Sequence, residues 1–336
     1  MRPGQRTLLR HVLVVWALCA GVTGCKGKSD ATTPAASGQP PFMSTVAAPI
    51  AQMGDDAPAP EKTDGFDGKR ALAQVAKQVS FGPRPSGSGA IAKLQEYLLA
   101  ELKSYGCEVE TDSFNSSTPA GRVPMKNLLV KIPGDKTGII LLGTHYDTKR
   151  LDNFVGADDG GSSTGVMLEL ARLLCLQGGK YAVWIAFFDG EEAVRKEWAD
   201  PDNCYGSREM AARMALSGDL PKIKAFLLAD IVGTRMPHFK RETASTKWLV
   251  DLVWSTAKRL GYGSIFLDED YAVSDDHESF LKRNVPSVDV IDLDNGPNGD
   301  VYYWHTPQDT MDKLSARSLA IVGHVFLESV KQLQAK

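Results

Sequence analysis

Two short segments of this chain are almost entirely apolar, and they limit what it can fold into. Residues 138–143 read GIILLG, and residues 181–188 read YAVWIAFF. Such runs, without polar alternation, are typical of strands that are covered on both faces, as in a parallel sheet between two layers of helices. Residues 162–176, which lie between them, have the apolar spacing of a helix. The order strand, helix, strand therefore predicts a layered α/β domain.

The same alternation continues through the rest of the chain from residue 66 onward. Further strands are predicted over residues 127–132, 225–232 and 285–291, and further helices over residues 69–80, 91–105, 205–216, 246–260 and 314–331. Residues 66–336 are therefore predicted to form one three-layer α/β/α sandwich around a mixed, mostly parallel sheet. A domain of this size can bury a large core without help from disulfides.

The N-terminal region has a different composition and is not expected to belong to this domain. Three arginines precede an apolar stretch at residues 11–20, and small residues follow as far as Cys25, which is the plan of a secretory signal. The segment Val22-Thr23-Gly24-Cys25 resembles a bacterial lipobox. Residues 1–25 are therefore predicted to be a lipoprotein signal peptide, with the lipid on Cys25. The alternative is a cleaved signal with an incidental cysteine.

Residues 26–65 are rich in small residues and proline and lack periodic apolar positions, so we expect a disordered tether. No run of about 18 or more apolar residues occurs, and a lipid would hold the protein to a membrane without spanning it. These features predict an exported protein, anchored by lipid to the bacterial cell envelope and facing the periplasm or the exterior. The net charge of −3 gives no electrostatic reason to expect a nucleic-acid partner.

Three cysteines fall within the predicted domain: Cys107, Cys175 and Cys204. Cys175 lies in an apolar helical pattern and is expected to be a small core residue. An exported location permits one disulfide, but the sequence does not decide whether Cys107 and Cys204 form it. No two cysteines have the CxxC spacing that is typical of a cysteine zinc site.

Acidic residues and histidines follow the ends of the predicted strands. The first apolar strand leads into His145, the second leads into the pair Glu191 and Glu192, and Asp230 lies near the end of a third. In open α/β sheets, ligands bind beyond the carboxyl ends of the strands. We therefore expect these side chains to meet at one edge of the sheet.

Asp159 lies in a glycine-rich turn that enters a helix, and His305 lies near the C-terminus. Taken singly, such residues are usually helix caps or solvated charges. Clustered carboxylates, however, raise one another's pKa, and a divalent cation removes that conflict. Oxygen and imidazole ligands without thiolate suit a catalytic zinc, because three protein ligands leave a fourth position open.

The pattern as a whole resembles the zinc aminopeptidase superfamily. The segments that carry this resemblance are His145-Tyr146-Asp147, Gly156-Ala157-Asp158-Asp159, Phe188-Asp189-Gly190-Glu191-Glu192, Asp230 and His305-Thr306. Other segments are similar to the animal-type glutaminyl-peptide cyclotransferases and their bacterial relatives, namely Trp198, Tyr205-Gly206-Ser207-Arg208, Asp275-Asp276-His277 and Trp304. Those enzymes convert the N-terminal glutamine of peptides and proteins to pyroglutamate and release ammonia.

The resemblance implies a zinc-dependent catalytic domain. Asp159, Glu192 and His305 would hold one zinc ion, and Glu191 would transfer the proton. With zinc polarising the γ-amide carbonyl, the α-amine of the substrate is itself the nucleophile, so the enzyme needs to supply none.

The resemblance also implies roles for four residues around that centre. Asp230 and Asp275 would form a hydrogen-bonded acidic network with Glu191. Trp198 and Trp304 would line a narrow pocket for the substrate side chain.

Two other functions remain open at this point. In a two-zinc aminopeptidase, His145 and Asp230 would bind a second zinc, Asp159 would bridge the two ions, and Glu191 would activate a water molecule. A non-catalytic zinc-binding domain is the second alternative. It would be expected to have lost Glu191 or a ligand, and the sequence retains them.

Overall fold

The computed structural model describes residues 57–293 and 303–336. The predicted signal peptide, with Cys25, and residues 26–56 of the predicted tether lie outside the described residues. Within the described ranges, no helix is both long and apolar enough to cross a membrane.

The described residues alternate between strands and helices, as predicted. The strands are β1 (Val109–Thr118), β2 (Gly121–Ile132), β3 (Lys136–His145), β4 (Tyr181–Phe188), β5 (Ile223–Asp230), β6 (Phe239–Glu242), β7 (Phe266–Tyr271) and β8 (Ser287–Ile291). The helices are α1 (Gly68–Val79), α2 (Gly89–Ser104), α3 (Gly161–Leu174), α4 (Tyr205–Ser217), α5 (Lys247–Arg259), α6 (His277–Leu281) and α7 (Ala316–Ala335).

Six of these strands form the main sheet, in the order β1-β2-β4-β3-β5-β8. The strands β4, β3, β5 and β8 are parallel to one another, and β1 and β2 join them as an antiparallel pair at one edge. A mixed sheet with a parallel centre needs helices on both faces, because its central strands are apolar on both sides.

Side-chain alternation along β3 divides the interior into two cores. Ile140 and Leu142 belong to the larger core, which contains residues of α1, α2, α3, α5 and α7. Ile139 and Leu141 point to the other face and pack with residues of α4 and α6. Since consecutive strand residues point to opposite faces, the run GIILLG supplies both cores at once, and the predicted three-layer sandwich results.

The packed region begins before Phe66. Residues Pro60–Lys62 form a 3-10 helix, and Thr63 is fully buried, with its hydroxyl donating to the carbonyl of Phe66 at 2.7 Å. Asp64 contacts two side chains of α7: it lies 3.3 Å from Nε2 of His324 and forms an ion pair with Lys331 at 3.0 Å. The last residues that composition assigns to the tether therefore pack on the domain, through polar contacts that an apolar pattern does not reveal.

The cysteines are arranged differently from the prediction. Cys107 and Cys175 form a disulfide that closes a separation of 68 residues, while Cys204 is free and buried. The prediction that Cys175 is only a small core residue was therefore wrong, and Cys107 does not pair with Cys204. Cysteine spacing alone does not determine pairing. A bridge of this kind typically stabilises a domain by about 2–4 kcal/mol.

Three strands lack a sequence signal. The β1 segment reads VETDSFNSST, which is polar, because β1 is an edge strand with side chains that alternate between exposed and half-buried. The strands β6 and β7 pair only with each other, outside the main sheet. They contribute Phe239 and Phe266 to the larger core, but segments of four and six residues with one core position each show little apolar periodicity.

Candidate metal centre

The carboxyl ends of β3, β4 and β5 meet at one edge of the main sheet. His145 is the last residue of β3, Asp230 is the last residue of β5, and Glu191 and Glu192 follow β4. His145 lies in register with Phe188, the last residue of β4. The sheet thereby brings together side chains that are far apart in the sequence.

Asp159 lies in the turn between β3 and α3, and two side chains hold this turn in place. The carboxylate of Asp309 accepts hydrogen bonds from the backbone N–H groups of Asp158 at 2.8 Å and Asp159 at 3.1 Å. The fully buried Arg84 donates to the carbonyl of Gly156 at 3.1 Å. Asp159 is therefore fixed by its backbone, and its carboxylate is left to face the site.

Gly160, the last residue of this turn, could not be replaced without strain. Its φ of +73° lies in the left-handed region. A Cβ there would lie 2.8 Å from both the carbonyl oxygen of Asp147 and Cε1 of His145. The glycine therefore allows the turn to approach the end of β3 closely enough for Asp159 to reach His145.

Asp147 positions the two glutamates that follow β4. Its carboxylate accepts hydrogen bonds from the backbone N–H groups of Glu191 at 3.1 Å and Glu192 at 3.4 Å. This fixes the backbone of the pair, so that the two glutamates can present their carboxylates separately.

Asp159, Glu192 and His305 form a group that we call the outer cluster. Their ligand atoms all lie within 4.8 Å of one another. Nε2 of His305 lies 3.3 Å from Oδ2 of Asp159 and 3.2 Å from Oε2 of Glu192. Oδ2 of Asp159 and Oε1 of Glu192 are buried and have no hydrogen-bond partner among the described residues. Since burying a charge without a partner is costly, this donor set fits a bound cation.

The pKa values of the outer cluster indicate the same excess of negative charge. Burial opposes a charge on His305, but Glu192 and Asp159 outweigh it and raise the pKa of His305 to about 9. Burial and the charge on Asp159 raise the pKa of Glu192. Without a metal, the cluster therefore retains protons that a divalent cation would replace. Two carboxylates and one imidazole suit zinc and leave one position open.

His145, Asp159 and Asp230 form a second group, which we call the inner cluster. Nε2 of His145 lies 3.0 Å from Oδ1 of Asp230 and 3.2 Å from Oδ1 of Asp159. Burial opposes a charge on His145, but Asp230 and Glu191 outweigh it and raise the pKa of His145 well above its ordinary value. The imidazolium can therefore balance these carboxylates without a metal.

Glu191 lies beside both clusters. Its Oε2 is 3.7 Å from Nδ1 of His145, and its carboxylate is within 4.8 Å of that of Asp275. Burial raises the pKa of Glu191 well above its ordinary value, and Glu192 and Asp275 add to the rise against the charge of His145. Burial also raises the pKa of Asp275 to about 7, with a contribution from Asp230. A carboxyl group of this kind can accept and return a proton near neutral pH.

The acidic network around Glu191 remains a prediction. Asp275 is brought to Glu191, and Asp230 is held by His145, but the described residues contain no hydrogen bond between two of these three carboxyl groups. Such a bond requires a proton between them, which the raised pKa values of Glu191 and Asp275 favour.

A cavity of about 200 Å³ opens onto this chemistry. Asp159, Glu191 and His305 lie in its wall together with Trp198 and Trp304. The ring of Trp304 stacks on that of His305, with centroids 3.9 Å apart. The remaining lining residues are Asp230, Ile231, Val273, Ser274, Asp275, Ile291 and Leu293. The cavity is thus mostly apolar and aromatic, with its polar groups gathered at one side, as is common in sites that bind one small side chain.

Comparison with known proteins identifies the family. Residues 127–330, more than half of the chain, match the family model described as Peptidase family M28. The chain belongs to peptidase family M28. The region that matches contains both clusters, Glu191 and the two tryptophans of the cavity.

Among M28-like proteins, this chain is similar to glutaminyl-peptide cyclotransferases. It is 31% identical over 278 residues to the glutaminyl-peptide cyclotransferase-like protein of Mus musculus, covering 73% of this chain and 71% of the mouse protein. The crystal structure of a glutaminyl cyclase from an Acidobacteriales bacterium superposes with a TM-score of 0.76 at 41% identity, covering 80% of this chain and 95% of that one.

A structure described as a Zn-dependent exopeptidase is also similar. It comes from Parabacteroides distasonis and superposes with a TM-score of 0.71 at 28% identity, covering 79% of this chain and 98% of that one. The predicted fold class and the predicted resemblance to the zinc aminopeptidase superfamily and its cyclotransferases are therefore confirmed.

In this M28 chain, the sequence did not predict the residues that hold the site's backbone and carboxylates in place. Asp147 and Asp309 act on backbone N–H groups. Asp147 lies in a segment that carries the family resemblance but was given no role, and Asp309 lies in no such segment. Lys149 is buried, with its Nζ 3.5 Å from Oε2 of Glu192 and 3.0 Å from the carbonyl of Ala193. The sequence signal for Lys149 is its position, because it follows the segment His145-Tyr146-Asp147 closely and is a candidate partner for a carboxylate of the site.

Proposed function

We propose that this chain is a zinc-dependent glutaminyl-peptide cyclotransferase that converts the N-terminal glutamine of peptides or proteins to pyroglutamate and releases ammonia. Its relatives in several animals and its bacterial structural neighbours are named for this activity. The observation that carries the proposal is the outer cluster beside Glu191 at the end of a small aromatic cavity.

The reaction closes a ring within one substrate residue. A bond forms between the α-amine nitrogen and the γ-amide carbon, and the bond from that carbon to the amide nitrogen breaks. Asp159, Glu192 and His305 would hold a zinc ion, which would supply Lewis acid polarisation of the amide carbonyl. The nucleophile belongs to the substrate and is already near the carbonyl, so the site needs only to orient the chain and move a proton.

Glu191 is the group that moves this proton. It accepts one from the α-amine as the amine attacks, and it returns one to the departing nitrogen, which leaves as ammonia. Burial and the neighbouring carboxylates keep its proton affinity high enough for both steps. A carboxylate oxygen of Asp275 lies within 4.8 Å of one of Glu191, a separation that one water molecule can bridge to relay the proton between the two steps.

The proposed roles of Trp198 and Trp304 rest on their place in the cavity wall. Their rings leave room for one unbranched side chain and exclude water from the reacting amide. Because Trp304 stacks on His305, it also restricts the orientation of a metal ligand. The geometry thus favours a substrate residue that enters by its side chain, as glutamine would.

A single zinc ion is proposed for the outer cluster. The two-zinc aminopeptidase is the second candidate, because the ligand atoms of the inner cluster also lie within 4.8 Å of one another and a Zn-dependent exopeptidase has a similar structure. His145 is almost fully buried and does not line the substrate cavity, whereas His305 does, which favours the outer cluster as the site of the single ion. A non-catalytic role is disfavoured, because Glu191 and the outer cluster are present together.

We also propose that the protein is exported and anchored by a lipid on Cys25, with peptide or protein N-termini as its partners and no nucleic-acid partner. The support is the signal-like N-terminal sequence and the lipobox-like segment before Cys25. Metabolic labelling with a radioactive fatty acid tests the anchor. Label should appear on the wild-type chain and be absent from Cys25→Ser; equal labelling of both would contradict the proposal.

The activity is tested by offering two matched peptides that differ only in an N-terminal glutamine or leucine. The expected result is ammonia release and ring closure with the glutamine peptide, and no change in the leucine peptide. Release of free leucine would instead identify an aminopeptidase. The variant Glu191→Gln serves as the control for contaminating activity, because it should turn over neither peptide.

A further inference from the structure

Cys204 lies beside the proton-transfer residue and is not used by the proposed mechanism. It is buried, and it is the one free cysteine in the part of the chain that the structure describes. Its backbone N–H donates to the carbonyl of Glu191 at 2.7 Å. Sγ of Cys204 and one carboxylate oxygen each of Glu191 and Asp275 all lie within 4.8 Å of one another. This trio belongs to neither the outer nor the inner cluster.

The trio has one positive neighbour, His145, whose Nδ1 lies 3.7 Å from Oε2 of Glu191. Oδ2 of Asp275 is buried and has no hydrogen-bond partner among the described residues, while Oδ1 accepts from the backbone of Asp276 at 2.5 Å. The buried carboxylates of Asp276 and Asp289 also lack partners there. In the described ranges, no lysine or arginine lies within ion-pair distance of these groups. A cation would therefore relieve a local excess of negative charge.

The dimensions of the trio suit a small, soft cation. Zinc bonds to thiolate at about 2.3 Å and to carboxylate oxygen at about 2.0–2.2 Å, so tetrahedral ligand atoms stand about 3.5 Å apart. The ligand atoms of the trio lie within 4.8 Å of one another, so they would have to approach by at most about 1.3 Å to reach that separation. A thiolate among the ligands selects zinc and similar soft ions over magnesium or calcium.

An ion can reach the trio through the substrate cavity. Glu191 and Asp275 lie in the wall of that cavity, while Cys204 is buried and does not line it. An entering cation would therefore meet the two carboxylates at the cavity wall. The coordination position that faces the cavity would remain open to water.

We propose that Glu191, Asp275 and Cys204 form an inhibitory site for a second, soft divalent cation such as cadmium or excess zinc. Binding replaces the S–H bond of Cys204 with a metal–sulfur bond and releases the proton to solvent. It also occupies the Glu191 carboxylate, which can then no longer accept the proton of the substrate amine. The ion at the outer cluster stays in place. Only the inhibitory consequence rests on the proposed function; the binding itself does not.

The test titrates cadmium chloride into the zinc-loaded full-length protein while recording three signals. These are the ultraviolet charge-transfer absorption of a cadmium–thiolate bond, the metal content after removal of free ions, and ammonia release from a peptide with N-terminal glutamine. The wild type should show the thiolate band, retain its zinc, gain one cadmium and lose activity in parallel. Exchange of cadmium into the outer cluster cannot give the band, because that cluster contains no thiolate.

The decisive comparison uses Cys204→Ser, with Cys204→Ala as a second variant in case the first does not fold. Either folded variant should lose the band and need at least about tenfold more cadmium for half-inhibition. The matched control Cys25→Ser, which changes a cysteine outside the described residues, should behave like the wild type. Magnesium chloride should neither bind nor inhibit.

Two results would overturn the proposal. One is inhibition of the wild type by cadmium without a thiolate band; the other is a band or an inhibitory concentration that Cys204→Ser leaves unchanged. If the protein has no cyclotransferase activity, the spectral and metal-content measurements still decide whether the site binds. Failure of the binding and failure of the proposed function are thereby distinguished.

Discussion

The outer and inner clusters share Asp159 but differ in how their buried carboxylate charge is neutralised. In the inner cluster, His145 is almost fully buried and lies 3.0 Å from Asp230, so one imidazolium balances carboxylates on two sides. In the outer cluster, His305 is 15% exposed in its side chain and borders the cavity, while Oδ2 of Asp159 and Oε1 of Glu192 lack hydrogen-bond partners. Of these two clusters, the outer one therefore has a pair of unpartnered carboxylate oxygens that a cation would neutralise.

The difference shows how one fold can serve two kinds of chemistry. Both clusters have a histidine and carboxylates at the ends of parallel strands, so the residue types alone would permit two zinc ions. Both histidines contact carboxylates, but His145 is almost fully buried, whereas His305 lines the substrate cavity. We therefore expect one zinc ion, next to a protonated His145.

The largest effect is expected at Glu191, which lies beside both clusters. Glu191→Gln should reduce ammonia release roughly 10²–10⁴-fold, because the amide cannot accept the proton of the substrate amine. Zinc content should stay at the wild-type value, since Glu191 is not part of the outer cluster. Metal analysis and an ammonia assay on the same sample check this. Near-normal turnover would remove Glu191 from the mechanism.

Replacing one histidine in each cluster tests whether the two clusters differ in metal binding. His305→Asn should weaken zinc binding by more than about 100-fold, because a direct ligand is lost. His145→Asn should weaken it by about 10–100-fold, because His145 acts on zinc only through its contact with Asp159. Competition with a chromophoric chelator measures both. Similar losses in the two variants would indicate that both clusters hold metal.

A smaller effect is expected from pH. The pKa of His305 in the metal-free protein is raised to about 9, and zinc needs the neutral ring. The apparent zinc affinity should therefore rise about tenfold for each pH unit up to about 9 and level off above it. In the metal-free protein, the charged ring stabilises the fold below its unfolded pKa of about 6.5, and this contribution is lost as pH rises through about 9. A zinc affinity that is independent of pH in this window would contradict the assignment of His305.

Sequence reasoning located the edge of the sheet because buried parallel strands are nearly all apolar and the rule on strand ends is general. GIILLG and YAVWIAFF are β3 and β4 in the structure, and His145, Glu191 and Glu192 follow them. The strand β1 was missed, because an edge strand with polar residues resembles a loop in composition.

Contacts between distant side chains could not be predicted in the same way. The disulfide between Cys107 and Cys175 depends on the packing of α3 against the segment before β1, which no local pattern records. The hydrogen bonds from backbone N–H groups to Asp147 and Asp309 likewise depend on how separate turns meet. The sequence thus predicts which strands carry the chemistry, while the support around it depends on tertiary contacts.

A crystal structure of the purified protein, with anomalous diffraction recorded on both sides of the zinc absorption edge, tests the central claim most directly. It counts the bound ions and locates them in one experiment. We predict one zinc peak, coordinated by Asp159, Glu192 and His305, with His145 still paired with Asp230. A second zinc peak between His145 and Asp230, with Asp159 as the bridge, would contradict the single-zinc account and favour the aminopeptidase.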